Sequence, residues 1–126
     1  MKKLYFMKFI LLILICILVG CSGTYNTKTA EQYLPIRVYV MQESQEPIKP
    51  SVSLKDNNRF TFNYSALSSY IAIGSYEVND DNLILKTDDG KFKYVFKIKD
   101  DQLIFNAAES SKIPSYANVP DGAIFK

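Results

Sequence analysis

Leu83-Ile84-Leu85-Lys86-Thr87-Asp88-Asp89-Gly90-Lys91-Phe92-Lys93-Tyr94-Val95-Phe96-Lys97-Ile98-Lys99-Asp100-Asp101-Gln102-Leu103-Ile104-Phe105 reads as three strands joined by two tight turns. In the middle segment Phe92, Tyr94, Phe96 and Ile98 fall on one side of an extended chain, and Lys91, Lys93, Val95, Lys97 and Lys99 fall on the other. Successive side chains of a strand point to opposite faces, so this period of two predicts an apolar inner face and a charged outer one. Asp88-Asp89-Gly90 and Asp100-Asp101-Gln102 bound the segment. Asp favours turns because its carboxylate bonds the local backbone, and glycine reaches positive φ without steric cost. Residues 91–99 are expected to be the longest strand.

The same unit recurs on the N-terminal side. Asp80-Asp81-Asn82-Leu83-Ile84-Leu85 is echoed by Asp100-Asp101-Gln102-Leu103-Ile104-Phe105, 20 residues later. A hairpin-length unit repeated in one phase fits an up-and-down meander in which neighbouring strands share one buried face. Further upstream, Val52 and Leu54, a turn at Asp56-Asn57-Asn58, and Phe60, Phe62 and Tyr64 form a hairpin signal. Ile36, Val38 and Val40 alternate with Arg37 and Tyr39 to give a first strand. Pro47 and Pro50 mark a loop, because proline cannot donate to a sheet ladder. Ser65 to Tyr70 has the spacing of a brief helical turn, with Leu67 and Tyr70 three apart. Gly74, inside a run of strand residues, suggests a bulge, a close backbone approach or a plain turn.

Beyond Asn106 the pattern loosens. Pro114, Pro120 and several serines interrupt any long element, and Asp121-Gly122 would turn a short last strand, Ala123-Ile124-Phe125, back onto the sheet. The tail is therefore expected to cover an edge or an open end, where unpaired strands invite aggregation. The fold class is mainly β: a small antiparallel meander, curled sheet or barrel of about seven or eight short strands.

The N-terminal segment has a different character. Lys2, Lys3 and Lys8 make a basic start, and Phe9 to Gly20 is an apolar run of 12 residues. A spanning helix needs about 20 such residues, so the run has the length of a signal-peptide core. Leu18-Val19-Gly20-Cys21 closes it. This tetrapeptide resembles the lipobox of bacterial lipoproteins. The resemblance implies that the Cys21 thiol receives a diacylglycerol and that cleavage before it leaves residues 21–126. Two acyl chains give stable anchoring where one gives reversible binding. The organisation expected is a signal peptide over 1–20, a lipidated N-terminus and polar tether over 21–34, and an antiparallel β domain over 35–126. Cys16 would leave with the signal peptide, so no disulfide is expected in the mature chain. The expected location is the extracytoplasmic face of the cell membrane. Without Lys2, Lys3 and Lys8 the chain has 12 basic side chains against 13 acidic ones, a net charge of −1, which gives no footprint for nucleic acid.

The run from Phe60 to Phe105 resembles small lipocalin-like bacterial lipoprotein domains, through Gly74-Ser75-Tyr76 and the hairpin residues Asp81-Asn82-Leu83-Ile84-Leu85. This resemblance implies a curled sheet or barrel and carries over no ligand residue.

The sequence has no histidine, which removes the usual general base near neutral pH and any Ser-His-Asp or Cys-His arrangement. No catalytic, cofactor-binding or metal-binding residue is assigned. The adjacent pairs Asp80-Asp81, Asp88-Asp89 and Asp100-Asp101 suit turns better than the converging oxygens that calcium needs. Lys91, Lys93, Lys97 and Lys99 are the candidate contact for an anionic surface, with Lys86 on a neighbouring strand. The partners expected are the bilayer, through acylated Cys21, and a protein, peptide or anionic polymer. A small barrel can also hold an apolar ligand, but Phe92, Phe96 and Phe105 are large enough to fill it. The reading is a membrane-anchored, non-enzymatic lipoprotein that binds or shields a partner. The alternatives are a carrier of a small apolar ligand and, second, an enzyme.

Overall fold

A computed structural model describes residues 34–126. The segment expected to be a signal peptide, 1–20, Cys21, and nearly all of the expected polar tether, 21–34, lie outside the described residues. Eight strands follow in chain order: β1 (Val38–Val40), β2 (Ser51–Lys55), β3 (Arg59–Asn63), β4 (Ala72–Asn79), β5 (Asn82–Thr87), β6 (Lys93–Lys99), β7 (Gln102–Asn106) and β8 (Ile124–Phe125). Each pairs antiparallel with the next, and the sheet order equals the chain order. The sheet curls until its edges meet. Met41 bridges Phe125, the Val40 and Lys126 amides donate to each other's carbonyls at 3.0 Å, and the Gln42 amide donates to the Ile124 carbonyl at 2.9 Å. The result is a small, nearly closed barrel, in which almost no strand edge is left to pair with another chain.

The repeated hairpin unit accounts for two of the tight turns. Asn79 faces Asn82 across one and Lys99 faces Gln102 across the other. Asp80 and Asp100 take the equivalent first position with φ of 52° and 54°, a conformation Asp tolerates better than most residues. These turns and the Asp56–Asn58 3-10 turn lie at one end of the barrel. The long connections (residues 42–50, 64–71 and 107–123) and the Asp88–Phe92 turn lie at the other.

Gly74 sits within β4 at a close backbone approach. A Cβ built there would lie 1.9 Å from the Lys86 carbonyl oxygen of β5, so only glycine lets these two strands come together.

Three local expectations need correction. The first strand is inverted relative to hydrophobicity: Tyr39 is fully buried, while Val38 is 54% exposed. Tyr39 fills the barrel, its hydroxyl donates to the Pro35 carbonyl at 3.1 Å, and the Arg37 guanidinium lies 4.5 Å from its ring centroid. A large ring with a satisfied hydroxyl buries more apolar area than valine. Ser65–Tyr70, expected as a brief helical turn too short to stand as a helix, forms one turn that is not helical. The Ser68 amide donates to the Ser65 carbonyl in a single turn, and the Ser68 hydroxyl bonds the Tyr70 backbone in both directions, so serine competes with helical bonding. The longest strand is β4, because β6 starts only at Lys93. Lys91 remains in the turn, where its amide donates to Asp89 Oδ1 at 3.0 Å.

The tail behaves as expected. Gly122 takes φ of 78° before β8, Val119 and Ala123 are buried, and Ile113 and Ala117 pack on the core. Where β7 has already ended, Ser110 and Ser111 run beside β6 in its place. Their hydroxyls accept the Val95 and Lys93 amides at 2.8 and 2.9 Å, and the Ser111 amide donates to the Lys93 carbonyl.

Candidate functional site

The barrel interior is packed with rings. Phe62 stands at its centre, with Tyr64, Tyr94, Phe96 and Phe125 at centroid distances of 5.8, 5.1, 5.6 and 6.1 Å, all edge-to-face. Phe96 in turn meets Phe105 at 5.4 Å. Tyr39, Phe60, Phe62, Phe96 and Phe125 are fully buried. Phe96 and Phe105 therefore fill the space as expected, and Phe92 lies further out, half-buried against Tyr70 and Tyr94. Such a core leaves the outside of the barrel as the surface available for recognition.

The outer wall of β5, β6 and β7 has a marked composition. Asn82, Ile84 and Lys86 face out from β5; Lys93, Val95, Lys97 and Lys99 from β6; Gln102, Ile104 and Asn106 from β7. None of these is a carboxylate. The register sets Lys86 opposite Lys93, Ile84 opposite Val95 and Lys97 opposite Ile104. Lysine stems thus stand among isoleucine and valine, against which methylene chains pack while the ammonium stays in water. Val95 is 5% exposed although it faces outward. Of the predicted lysines, Lys93, Lys97 and Lys99 share this wall; Lys91 belongs to the turn at its upper edge. Among the described residues, Lys86 of the wall pairs with Glu77 at 3.4 Å. The apolar members Ile84 and Ile104 were not singled out from sequence, although their alternation with Leu83, Leu85, Leu103 and Phe105 carries the signal.

A second cluster closes the long-loop end. Thr87 Oγ1 donates to Asp89 Oδ1 at 2.6 Å, and the Tyr70 hydroxyl donates to Asp89 Oδ2 at 3.0 Å. These bonds, that from Thr87 first and the Lys91 amide next, hold the Asp89 carboxyl below its ordinary value. Arg59 does the same for Asp88 through a two-pronged contact, with Nη1 at 2.8 Å from Oδ1. Burial pushes the Tyr94 phenol up. Both carboxyls titrate lower in the folded chain than in the unfolded one. Their stabilising contribution is therefore complete above about pH 4 and is lost as pH falls through the lowered values. The melting temperature should drop on acidification below about pH 4, and Asp89→Asn should flatten that drop while lowering the melting temperature at neutral pH. Thermal melts of both proteins across the range check this.

Leu67 (80% exposed), Ile48 and Tyr116 project from three of the long connections. A groove of about 310 Å³ runs between β7 and the tail, with Phe105, Ile113 and Val119 along it and Ser110, Ser111 and Lys112 at its rim. Among the described residues no group of three or more His, Cys, Asp or Glu side chains is placed to hold a metal ion. Among them, too, no helix is long and apolar enough to cross a membrane. Compared with protein-family models, with curated proteins and with solved structures, the chain matches none.

Proposed function

We propose that this chain is a membrane-anchored, non-enzymatic lipoprotein, held at the extracytoplasmic face by acylated Cys21, whose barrel binds through its outer surface. The observation that carries the reading is the contrast between a ring-filled interior and an outer wall of lysines without a carboxylate among them. The wall suits an anionic component of the cell envelope. Lysines near a charged surface contribute about 1 kcal/mol each and lose that contribution within a Debye length as salt rises. The packed core speaks against carriage of an apolar ligand inside the barrel, and the absence of histidine from the sequence supports a role without catalysis.

Lys93→Gln combined with Lys97→Gln should leave the fold intact, since both side chains are exposed, and should reduce retention of the unlipidated protein on anionic vesicles about tenfold or more. Co-sedimentation with vesicles at low and high salt measures this, and equal retention of variant and wild type at low salt would refute the role given to the wall. Mass spectrometry of the native polypeptide tests the anchor: a bare sulfur at Cys21 with residues 1–20 retained would refute it.

A further inference from the structure

We infer that the anionic surface met by the lysine wall is the bilayer to which the chain is itself tied, so that the barrel lies on its side with β5 and β6 against the headgroups. The inference rests on the lipid anchor proposed above. Three observations carry it.

The first is where the chain joins the barrel. Arg37 precedes β1, and its Nη2 donates to the carbonyl oxygen of Asp101 at 2.8 Å. Because β8 covers only Leu103 and Ile104 of β7, the start of the domain closes directly onto the β6–β7 turn. The chain thus reaches the barrel two residues from Lys99, at one end of the row Lys93, Lys97, Lys99. Twelve residues separate Cys21 from Leu34, and fully extended the thirteen steps span roughly 45 Å. The bilayer is the anionic surface always within that reach.

The second is the charge of the other faces. The short-turn end, which an upright barrel would rest on, exposes Asp56, Asp80, Asp81 and Asp100, and these repel anionic headgroups. The outer positions of β2 and β3 are Ser51, Ser53, Thr61 and Asn63 with two cations at one end, Lys55 and Arg59, of which Arg59 is paired with Asp88. Charge complementarity therefore selects the β5–β6 wall and the side-on pose.

The third is the make-up of the wall itself. Ile84 and Ile104 lie part-exposed between the lysines, over the buried Val95. An apolar floor with ammonium groups around it matches the boundary between acyl chains and phosphates, whereas a purely soluble polyanion would have no use for the isoleucines.

The chain contains no tryptophan, so a single introduced indole reports its own surroundings. The lipidated protein carrying Ile84→Trp, and separately Ile104→Trp, is reconstituted into vesicles containing brominated phosphatidylglycerol or brominated phosphatidylcholine. Thr61→Trp, on the opposite wall, serves as the comparison. Both wall reporters should be quenched at least about twofold more than Thr61→Trp on phosphatidylglycerol. The difference should vanish on phosphatidylcholine, in high salt, and when Lys93 and Lys97 are replaced by Gln. Equal quenching of wall and opposite reporters in protein that still floats with the vesicles in high salt overturns the side-on pose and leaves the anchor standing. Protein stripped from native membranes by high salt overturns the anchor and the pose with it. Using two wall reporters keeps the test decisive if one substitution disturbs packing.

Discussion

Phe62→Ala should destabilise the domain by about 4 kcal/mol, the range measured when a fully buried phenylalanine is truncated. Phe62 is the hub of the core: it faces four rings edge-on, from β6, β8 and the end of its own strand. Each such pair is worth about 0.5–1.5 kcal/mol beyond the area buried, and three of the four, Tyr94, Phe96 and Phe125, are held by their own strands and cannot follow a missing neighbour. Domains of this size have about 5–15 kcal/mol in total, so the variant should sit near the edge of folding. Urea denaturation followed by tyrosine fluorescence gives the loss directly. A loss below about 1 kcal/mol would mean that the rings do not form one rigid cluster. Phe62→Leu should recover roughly half of the deficit, since it restores volume without the edge-to-face geometry.

Gly74→Ala should be comparably severe for the opposite reason. Here an atom is added where there is no room, 1.9 Å from a carbonyl oxygen in the backbone of β5. A flexible side chain would swing away; a paired strand cannot. The β4–β5 ladder, which runs from Gly74 opposite Thr87 to Asn79 opposite Asn82, must splay or slip. We expect a cost of about 3 kcal/mol, equivalent to a fall in melting temperature on the order of 15 °C. Amide exchange should speed up first at the Thr87 end of β5. Thermal melts that coincide with wild type would show that the two strands are not held at this spacing.

The meander was legible from residues 83–105 because alternation and Asp-rich turns agreed there. Phe96, Ile98, Leu103 and Phe105 are buried where the period of two puts them, and Lys93, Lys97 and Lys99 are exposed. Agreement failed where local pattern and tertiary need diverged. In β1 the aliphatic residues Ile36 and Val38 carried the stronger signal for an inner face, yet the barrel needed the larger ring of Tyr39 there. At Ser65–Tyr70 the spacing of Leu67 and Tyr70 imitated a helical turn, and the serine hydroxyls overrode it. That the tail would cover an edge was legible, but which strand it would meet was not, because the pairing of Val40 with Lys126 joins positions far apart in the chain with nothing in either to announce the other. The lysine row was visible as a row; that Arg37 docks beside its end depends on the same long-range closure.

The seam between the first strand and the last has a kinetic corollary. Val40 waits for a partner at Lys126, far along the chain, so a polypeptide emerging from a ribosome or a narrow pore cannot close the barrel part-way. Until residues 124–126 arrive, the growing polypeptide remains threadable. The export proposed above would draw a safeguard from that delay.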